Sequence, residues 1–228
     1  MIKAILWDND GVLCDTERLF FEANCRVLAP HGVALTREQY VAWYLEDNRG
    51  AWHVLRGRGY GEVQIAEVRT ARDNCYAHLL SDAGQLCFAG VEAMLSRLAQ
   101  RVAMSIVTAS FAEHVALAHR AGEALNHIGH IFARTDGLRP KPHPDAYLHA
   151  LHKLGLHADE CIAVEDTPRG LAAASAAGLR CIVLRSDLLE GYRFRGAYRV
   201  VDSHLQLESE LDALLRPTEP PILHTACL

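Results

Sequence analysis

The chain has no run of eighteen apolar residues, no block of lysines and arginines, and no Cys-x-x-Cys pair. The first absence argues against a membrane-spanning helix. No secretory signal precedes the first strand pattern either, so a cytoplasmic protein is expected. The second, with a net charge of −5, argues against nucleic acid or an anionic membrane as partner. The third leaves seven cysteines (14, 25, 75, 87, 161, 181 and 227), an odd and scattered set. Reduced thiols fit it better than disulfides or a structural zinc. The thirteen histidines are equally dispersed, and even His127 and His130 read as helix-end or loop residues.

What is present is ordinary in bulk. At 228 residues, half of them apolar, the chain can bury one good core and has room for a smaller second unit. The first strand is expected over residues 2–8. From about 17 to 84 the pattern is helical: Phe20, Ala23, Asn24 and Val27 share a face, and Thr36 with Gln39 spells a capping box. Gly57, Gly59 and Gly61 read as a flexible loop, and a helix resumes over 63–80. After 81–90 the rhythm changes. Val91, Met94, Leu95, Leu98 and Ala99 form one helical stripe. Strand patterns at Ala103–Val107, His130–Ala133, Cys161–Val164, Cys181–Leu184 and Tyr198–Val201 then alternate with helices near 111–124, over Asp145–Leu154 and up to Ala177. Such alternation predicts an α/β fold with a parallel sheet covered by helices on both faces. The domains expected are a catalytic core of residues 1–15 and 85–228 and an inserted all-helical cap of residues 16–84, hinged near 13–17 and 81–90. The tail from Arg216, with Pro217, Pro220 and Pro221, is expected to be extended.

In an open parallel sheet, ligands bind at the carboxyl ends of the strands. Asp8-Asn9-Asp10-Gly11 follows the first strand, Thr108-Ala109-Ser110 the second, Arg139-Pro140-Lys141-Pro142-His143-Pro144-Asp145 lies after the third, and Glu165-Asp166-Thr167 follows the fourth. Alternation points Asp8 and Asp10 to one face. Two crowded carboxylates need a cation between them or a shared proton, and both are tools of phosphoryl chemistry. Taken singly, each motif has a plain reading: Asp-Gly is a common turn, Lys141 a solvated lysine, and Glu165-Asp166 a charge pair at a helix start. Four such strand ends together do not.

The set DxDGV at 8–12, a hydrophobic run ending at Thr108, KPxPD at 141–145 and the acidic pair 165–166 resembles the haloacid dehalogenase superfamily. Within it, the chain is similar to the helical-cap branch of β-phosphoglucomutase and small phosphatases, over nearly its whole length. The resemblance implies a Rossmann-like core. It implies Asp8 as nucleophile and Asp10 as general acid/base, with Thr108 and Lys141 on the phosphoryl oxygens and Ser110 beside them as a substrate contact. It also implies Mg²⁺ as cofactor, held by Asp8, Asp10 (through its backbone carbonyl) and Asp166, with Glu165 assisting.

Arg49 and Arg72 fall where the mutase has a phosphate-binding arginine and a cap lysine, so both are candidates for a second anionic group. Two departures count against a mutase: Phe20 and Phe111 stand where it has a histidine and a lysine, which predicts a more apolar entrance. Asp10 counts against dehalogenase chemistry. The absence of any lysine from 17 to 84 counts against a phosphonatase, which needs one from the cap. The resulting expectation is a Mg²⁺-dependent phosphatase of a small phosphorylated metabolite, a sugar phosphate or a phosphoglycolate-like acid. The alternatives are a phosphomutase and a catalytically quiet binding module. A monomer suffices, since cap and core together enclose one site.

Overall fold

The computed structural model describes residues 1–216. Pro217, Pro220, Pro221 and Cys227 lie outside the described residues. Six parallel strands form one sheet: β1 (Ala4–Trp7), β2 (Ala103–Val107), β3 (His130–Phe132), β4 (Cys161–Glu165), β5 (Arg180–Leu184) and β6 (Arg199–Val201), in the spatial order β3-β2-β1-β4-β5-β6. Both β1 and β4 are buried along their whole length, which is why they read as continuous apolar runs. Side chains alternate across the sheet. Ile5 and Trp7 join one core with Met94 and Leu98, while Ala4 and Leu6 join the other with Tyr147 and Leu171. Among the described residues no helix is long and apolar enough to cross a membrane.

The helices follow the expected pattern closely. Between β1 and the rest of the sheet lie α1 (Glu17–Leu28), α2 (Arg37–Tyr40), α3 (Trp52–Gly57) and α4 (Glu62–Asp82), with no strand among them. The capping box is present: Gln39 N donates to Thr36 Oγ1 (3.2 Å) and Thr36 N to Gln39 Oε1 (3.1 Å). Unforeseen was a wider-than-α turn over Val41–Glu46, which continues α2 and buries Tyr44 and Leu45. The remaining helices, α5 (Val91–Ala99), α6 (Ala112–His119), α7 (Asp145–Leu154), α8 (Pro168–Ala176) and α9 (His204–Leu214), cover the sheet. On α5 the stripe is buried from Val91 to Leu98, but Ala99, at the helix end, is exposed. His130 opens β3 instead of lying in a loop.

The inserted helices touch the remainder through α4 against α6, and through the Val41–Glu46 turn against α8. The two chain segments joining them to the sheet run antiparallel, with Cys14 opposite Cys87. Asp15 N donates to Leu86 O (2.8 Å) and Phe88 N to Leu13 O (3.1 Å).

Candidate active site

Register brings the expected residues together. Trp7 pairs with Ile106 on one side and Val164 on the other, so the residues just beyond these three strands meet at one level. The strand order reverses direction at β1, the crevice where open α/β sheets hold ligands. A cavity of about 330 Å³ opens there between the strand ends and the inserted helices. Asp8, Asp10, Thr108, Ser110, Lys141, Glu165, Asp166, Arg49 and Arg72 all line it.

At its floor lies a buried ionic network. Lys141 Nζ donates to Asp8 Oδ1 (2.6 Å), Glu165 Oε1 (2.6 Å) and the Val107 carbonyl (2.9 Å). Tyr147, two residues past the KPxPD motif, donates its hydroxyl to the same Glu165 oxygen (2.5 Å). Burial works to lower the Lys141 pKa, but the Asp8 and Glu165 carboxylates outweigh it and raise it above the ordinary value. Burial pushes Asp8 up to about 7 against the pull of Lys141, and the Glu165 and Asp10 charges add to the rise. Asp166 also rises well above the ordinary carboxylate range, through burial and then the charges of Asp8, Glu17 and Glu165.

One lysine therefore faces three buried carboxylates, and Asp166 Oδ1 and Glu165 Oε2 are buried without any hydrogen-bond partner. Oxygens of Asp8, Glu165 and Asp166 lie within 4.8 Å of one another. Unpartnered, closely spaced carboxylate oxygens are the donor set of a hard divalent cation such as Mg²⁺, and these residues fit that ion.

Asp10 is held differently. Oδ1 accepts from Thr16 Oγ1 (2.6 Å), Tyr76 OH (3.2 Å) and Asn9 Nδ2 (3.3 Å), while Oδ2 accepts from Ser110 Oγ (2.7 Å) and Thr108 Oγ1 (3.3 Å). Thr108 and Ser110 thus orient Asp10, and Tyr76 reaches it from α4 across the long insertion. Thr167 caps α8, accepting from Gly170 N (3.2 Å), with Pro168 in the first turn, so the loop carrying Asp166 is pinned by a helix start.

Gly11 has a left-handed φ of +79°, and a Cβ there would overlap the Asp166 carboxylate. Gly11→Ala is expected to lower stability by about 1–2 kcal/mol from backbone strain alone. It should also displace Asp166 and weaken Mg²⁺ binding at this cluster at least tenfold. A variant with unchanged Mg²⁺ titration and thermal midpoint would show that this contact is unimportant.

The upper wall is more cationic than expected. Arg72 is buried, bonded to Asp73 Oδ1 (2.7 Å) and lying over the rings of Phe20 (4.7 Å) and Trp52 (5.6 Å). Arg49 is half-exposed, 3.3 Å from Asp47 Oδ2. Phe20 and Phe111 do line the entrance, but each carries a guanidinium: Arg72 covers Phe20, and Arg134 covers Phe111 at 4.6 Å. The apolar wall is thus a platform for cations.

Arg69, Arg134 and Arg169 complete a set that sequence reasoning missed. Arg69 was legible in principle, because it lies one helical turn before Arg72. Arg134, two residues past β3, and Arg169, three past Asp166, follow strand ends and were legible on that ground. Burial and the guanidiniums of Arg56 and Arg72 lower the Arg69 pKa, with a smaller contribution from Arg134. Asn48, at φ +53°, ties the walls together: Nδ2 donates to the Lys141 carbonyl (2.8 Å), and Oδ1 accepts from Arg169 Nη1 (2.9 Å).

Comparison with known proteins agrees with this geometry. A family model described as haloacid dehalogenase-like hydrolase matches residues 2–178. Protein CbbY of Rhodobacter capsulatus is 28% identical, over 88% of this chain and 93% of that protein. A phosphoglycolate phosphatase of Yersinia pseudotuberculosis is 29% identical, over 89% of this chain and 87% of its own. The crystal structure of CbbY from Rhodobacter sphaeroides in complex with xylulose-(1,5)bisphosphate superposes with a TM-score of 0.75 at 28% identity, covering 89% and 95% of the two chains. The β-phosphoglucomutase of Clostridium difficile superposes at 0.80 with 20% identity, covering 94% and 96%, a likeness of fold.

Proposed function

The chain belongs to the haloacid dehalogenase-like hydrolases, and from that premise we propose that it is a Mg²⁺-dependent phosphatase of a small sugar phosphate bearing a second anionic group. The observation that carries the reading is the pairing of a buried Asp8–Lys141–Glu165–Asp166 cluster with arginines on the opposite wall of the same cavity. One end suits phosphoryl transfer, the other suits anion recognition. In this reading residues 16–84 act as the cap that selects the substrate.

Asp8 attacks phosphorus to form an aspartyl-phosphate, and Asp10 gives a proton to the departing alkoxide oxygen. Asp10 then takes a proton from water as that water attacks phosphorus, which frees Asp8 and inorganic phosphate. General acid–base help of this kind is typically worth ~10²–10⁴ in rate. The donors from Thr16, Tyr76, Ser110 and Thr108 hold the Asp10 carboxyl in place for both transfers. Lys141 fixes the Asp8 carboxylate and brings positive charge to the phosphoryl oxygens. Asp8, the Asp10 carbonyl, Asp166 and Glu165 would hold Mg²⁺, which supplies charge neutralisation between an anionic nucleophile and an anionic phosphate. Phe20 and Phe111, which line the cavity, cannot carry a proton, and this counts against the mutase.

Among the described residues neither Arg69 nor Arg134 has an ion-pair partner, so each is available to an anion in the cavity. CbbY, whose crystal structure holds xylulose-(1,5)bisphosphate, is a relative whose ligand has charge at both ends. Arg69→Ala and Arg134→Ala are each expected to raise KM for a bisphosphate sugar roughly 10- to 100-fold, the worth of one charged hydrogen bond. p-Nitrophenyl phosphate, lacking the second anion, should be unaffected. Equal losses on both substrates would count against the anion-recognition role.

The direct test is phosphate release from sugar phosphates, sugar bisphosphates, phosphoglycolate, nucleotides and p-nitrophenyl phosphate, with and without Mg²⁺. Release that disappears with EDTA and returns with Mg²⁺ supports the reading. No release from any of these by protein that binds Mg²⁺ would refute it.

A further inference from the structure

Away from the cavity, three side chains that this chemistry does not use meet in the core. Cys14 Sγ lies 3.4 Å from Cys87 Sγ, and Cys87 Sγ lies 3.3 Å from His119 Nδ1. On its other side His119 Nε2 is 2.7 Å from Asn9 Oδ1, in the loop between Asp8 and Asp10. The two cysteines sit opposite each other on the paired segments that join helices 17–82 to the sheet. The flanking bonds Asp15 N to Leu86 O and Phe88 N to Leu13 O make them a non-hydrogen-bonded antiparallel pair. In such a pair the Cα atoms are about 4.5 Å apart, inside the ~4.4–6.8 Å that a disulfide spans. Cys14 is fully enclosed and His119 nearly so, whereas Cys87, itself 8% exposed, lines an open cleft of about 610 Å³ with Gln85, Glu92 and His127. A small oxidant can therefore reach one sulfur and not the other.

We propose that Cys14 and Cys87 are a peroxide-sensitive thiol pair, whose disulfide staples the two segments linking the inserted helices to the sheet. Cys87 sulfur attacks one oxygen of hydrogen peroxide; the O–O bond breaks, hydroxide leaves, and Cys87 becomes a sulfenic acid. Cys14 sulfur, giving up its proton, attacks Cys87 sulfur; the S–O bond breaks and water leaves. Two electrons pass from the thiols to peroxide. The local electrostatics suit this order. The hydrogen bond between the two sulfurs, helped by His119, lowers the Cys87 thiol below its ordinary value, whereas the same bond and burial push Cys14 up. Cys87, which lines the cleft and lies beside His119 Nδ1, is the attacking sulfur, and the enclosed Cys14 is the resolving one.

A metal shared by the three side chains fits less well. A sulfur sharing an ion with Nδ1 would lie farther from Nε2 than from Nδ1, yet Cys14 Sγ is 3.9 Å from Nδ1 and 3.4 Å from Nε2. Nε2 is already engaged by Asn9.

The cross-link reaches the proposed nucleophile loop directly. Gly11 N donates to the Cys14 carbonyl (2.8 Å) and Cys14 N to the Asn9 carbonyl (3.1 Å), so drawing Cys14 towards Cys87 pulls on the turn that presents Asp10. That effect on turnover rests on the phosphatase reading; the cross-link does not.

The test treats the full chain with hydrogen peroxide, digests it without reductant, and looks by mass spectrometry for a Cys14–Cys87 peptide pair. Turnover of p-nitrophenyl phosphate is followed in parallel. The expected result is that cross-link, with at least a fivefold loss of turnover restored by dithiothreitol. Cys87→Ser should keep basal turnover and lose both responses. In Cys14→Ser, Cys87 should go on to sulfinic acid. No cross-link at a peroxide dose that oxidises the half-buried Cys75 would overturn the proposal. So would stoichiometric zinc in the protein as isolated that Cys87→Ser abolishes. A cross-link without loss of turnover in an active enzyme would overturn the switch. Because the mass readout needs no turnover, failure of the phosphatase reading is told apart from failure of the thiol pair.

Discussion

Asp8→Asn is expected to give a folded protein whose phosphatase turnover is lower by about 10⁴-fold or more, as when a covalent nucleophile is removed. The substitution keeps the size of the side chain and deletes its charge. Lys141 retains Glu165 (2.6 Å) and the Val107 carbonyl (2.9 Å), so no buried charge is left alone. Burial already disfavours the Asp8 carboxylate, raising its pKa to about 7, so a neutral amide costs the fold little. The expected thermal midpoint lies within a few degrees of the parent. Phosphate release and thermal unfolding on the same preparation check both parts. Turnover within tenfold of the parent would remove Asp8 from the nucleophile's role.

Lys141→Met has the largest expected effect on stability, because it removes the one cation from a site 3% exposed. Breaking a buried ion pair by deleting one partner typically costs about 3–5 kcal/mol, since the remaining charge is stranded. In a chain of this size that corresponds to a fall of roughly 6–20 °C in Tm. Turnover should vanish with it. The cause is separable by a second change: Lys141→Met with Glu165→Gln removes one of the two carboxylates stranded by the loss of the ammonium. The double variant should therefore recover part of the lost stability while remaining inactive. A fall in Tm of less than about 2 °C for the single variant would show that the ammonium is not the electrostatic keystone of the site.

Both predictions concern residues that the sequence displays openly, for a physical reason. Asp8, Thr108, Lys141 and the Glu165-Asp166 pair each follow a strand or its loop, and strands in a parallel sheet leave their carboxyl ends on one edge. Short motifs at strand ends are local in sequence and convergent in space, so their meeting could be anticipated once the βα alternation was recognised. Tyr147 could also have been found, two residues beyond a motif already singled out. So could Thr16, six residues past Asp10 at the start of α1, but not Tyr76. Tyr76 bonds Asp10 because α4 folds back over the strand ends, and no spacing in the chain encodes that closure.

By itself, then, the sequence determined the order of strands and helices, the insertion after β1, and the acidic and lysine-bearing strand ends that meet in one cavity. Each of these depends on periodicity and on residues close together along the chain. The tertiary structure alone decided what faces that site. It set guanidiniums on Phe20 and Phe111, closed the inserted helices over the strand ends to form one cavity, and joined residues 48, 141 and 169 through a single asparagine. It also put Cys14 against Cys87, 73 residues apart, where the two linking segments run side by side. Contacts of that kind are fixed by how packed helices and paired segments settle against each other, and the packing that chooses them is written across the whole chain at once.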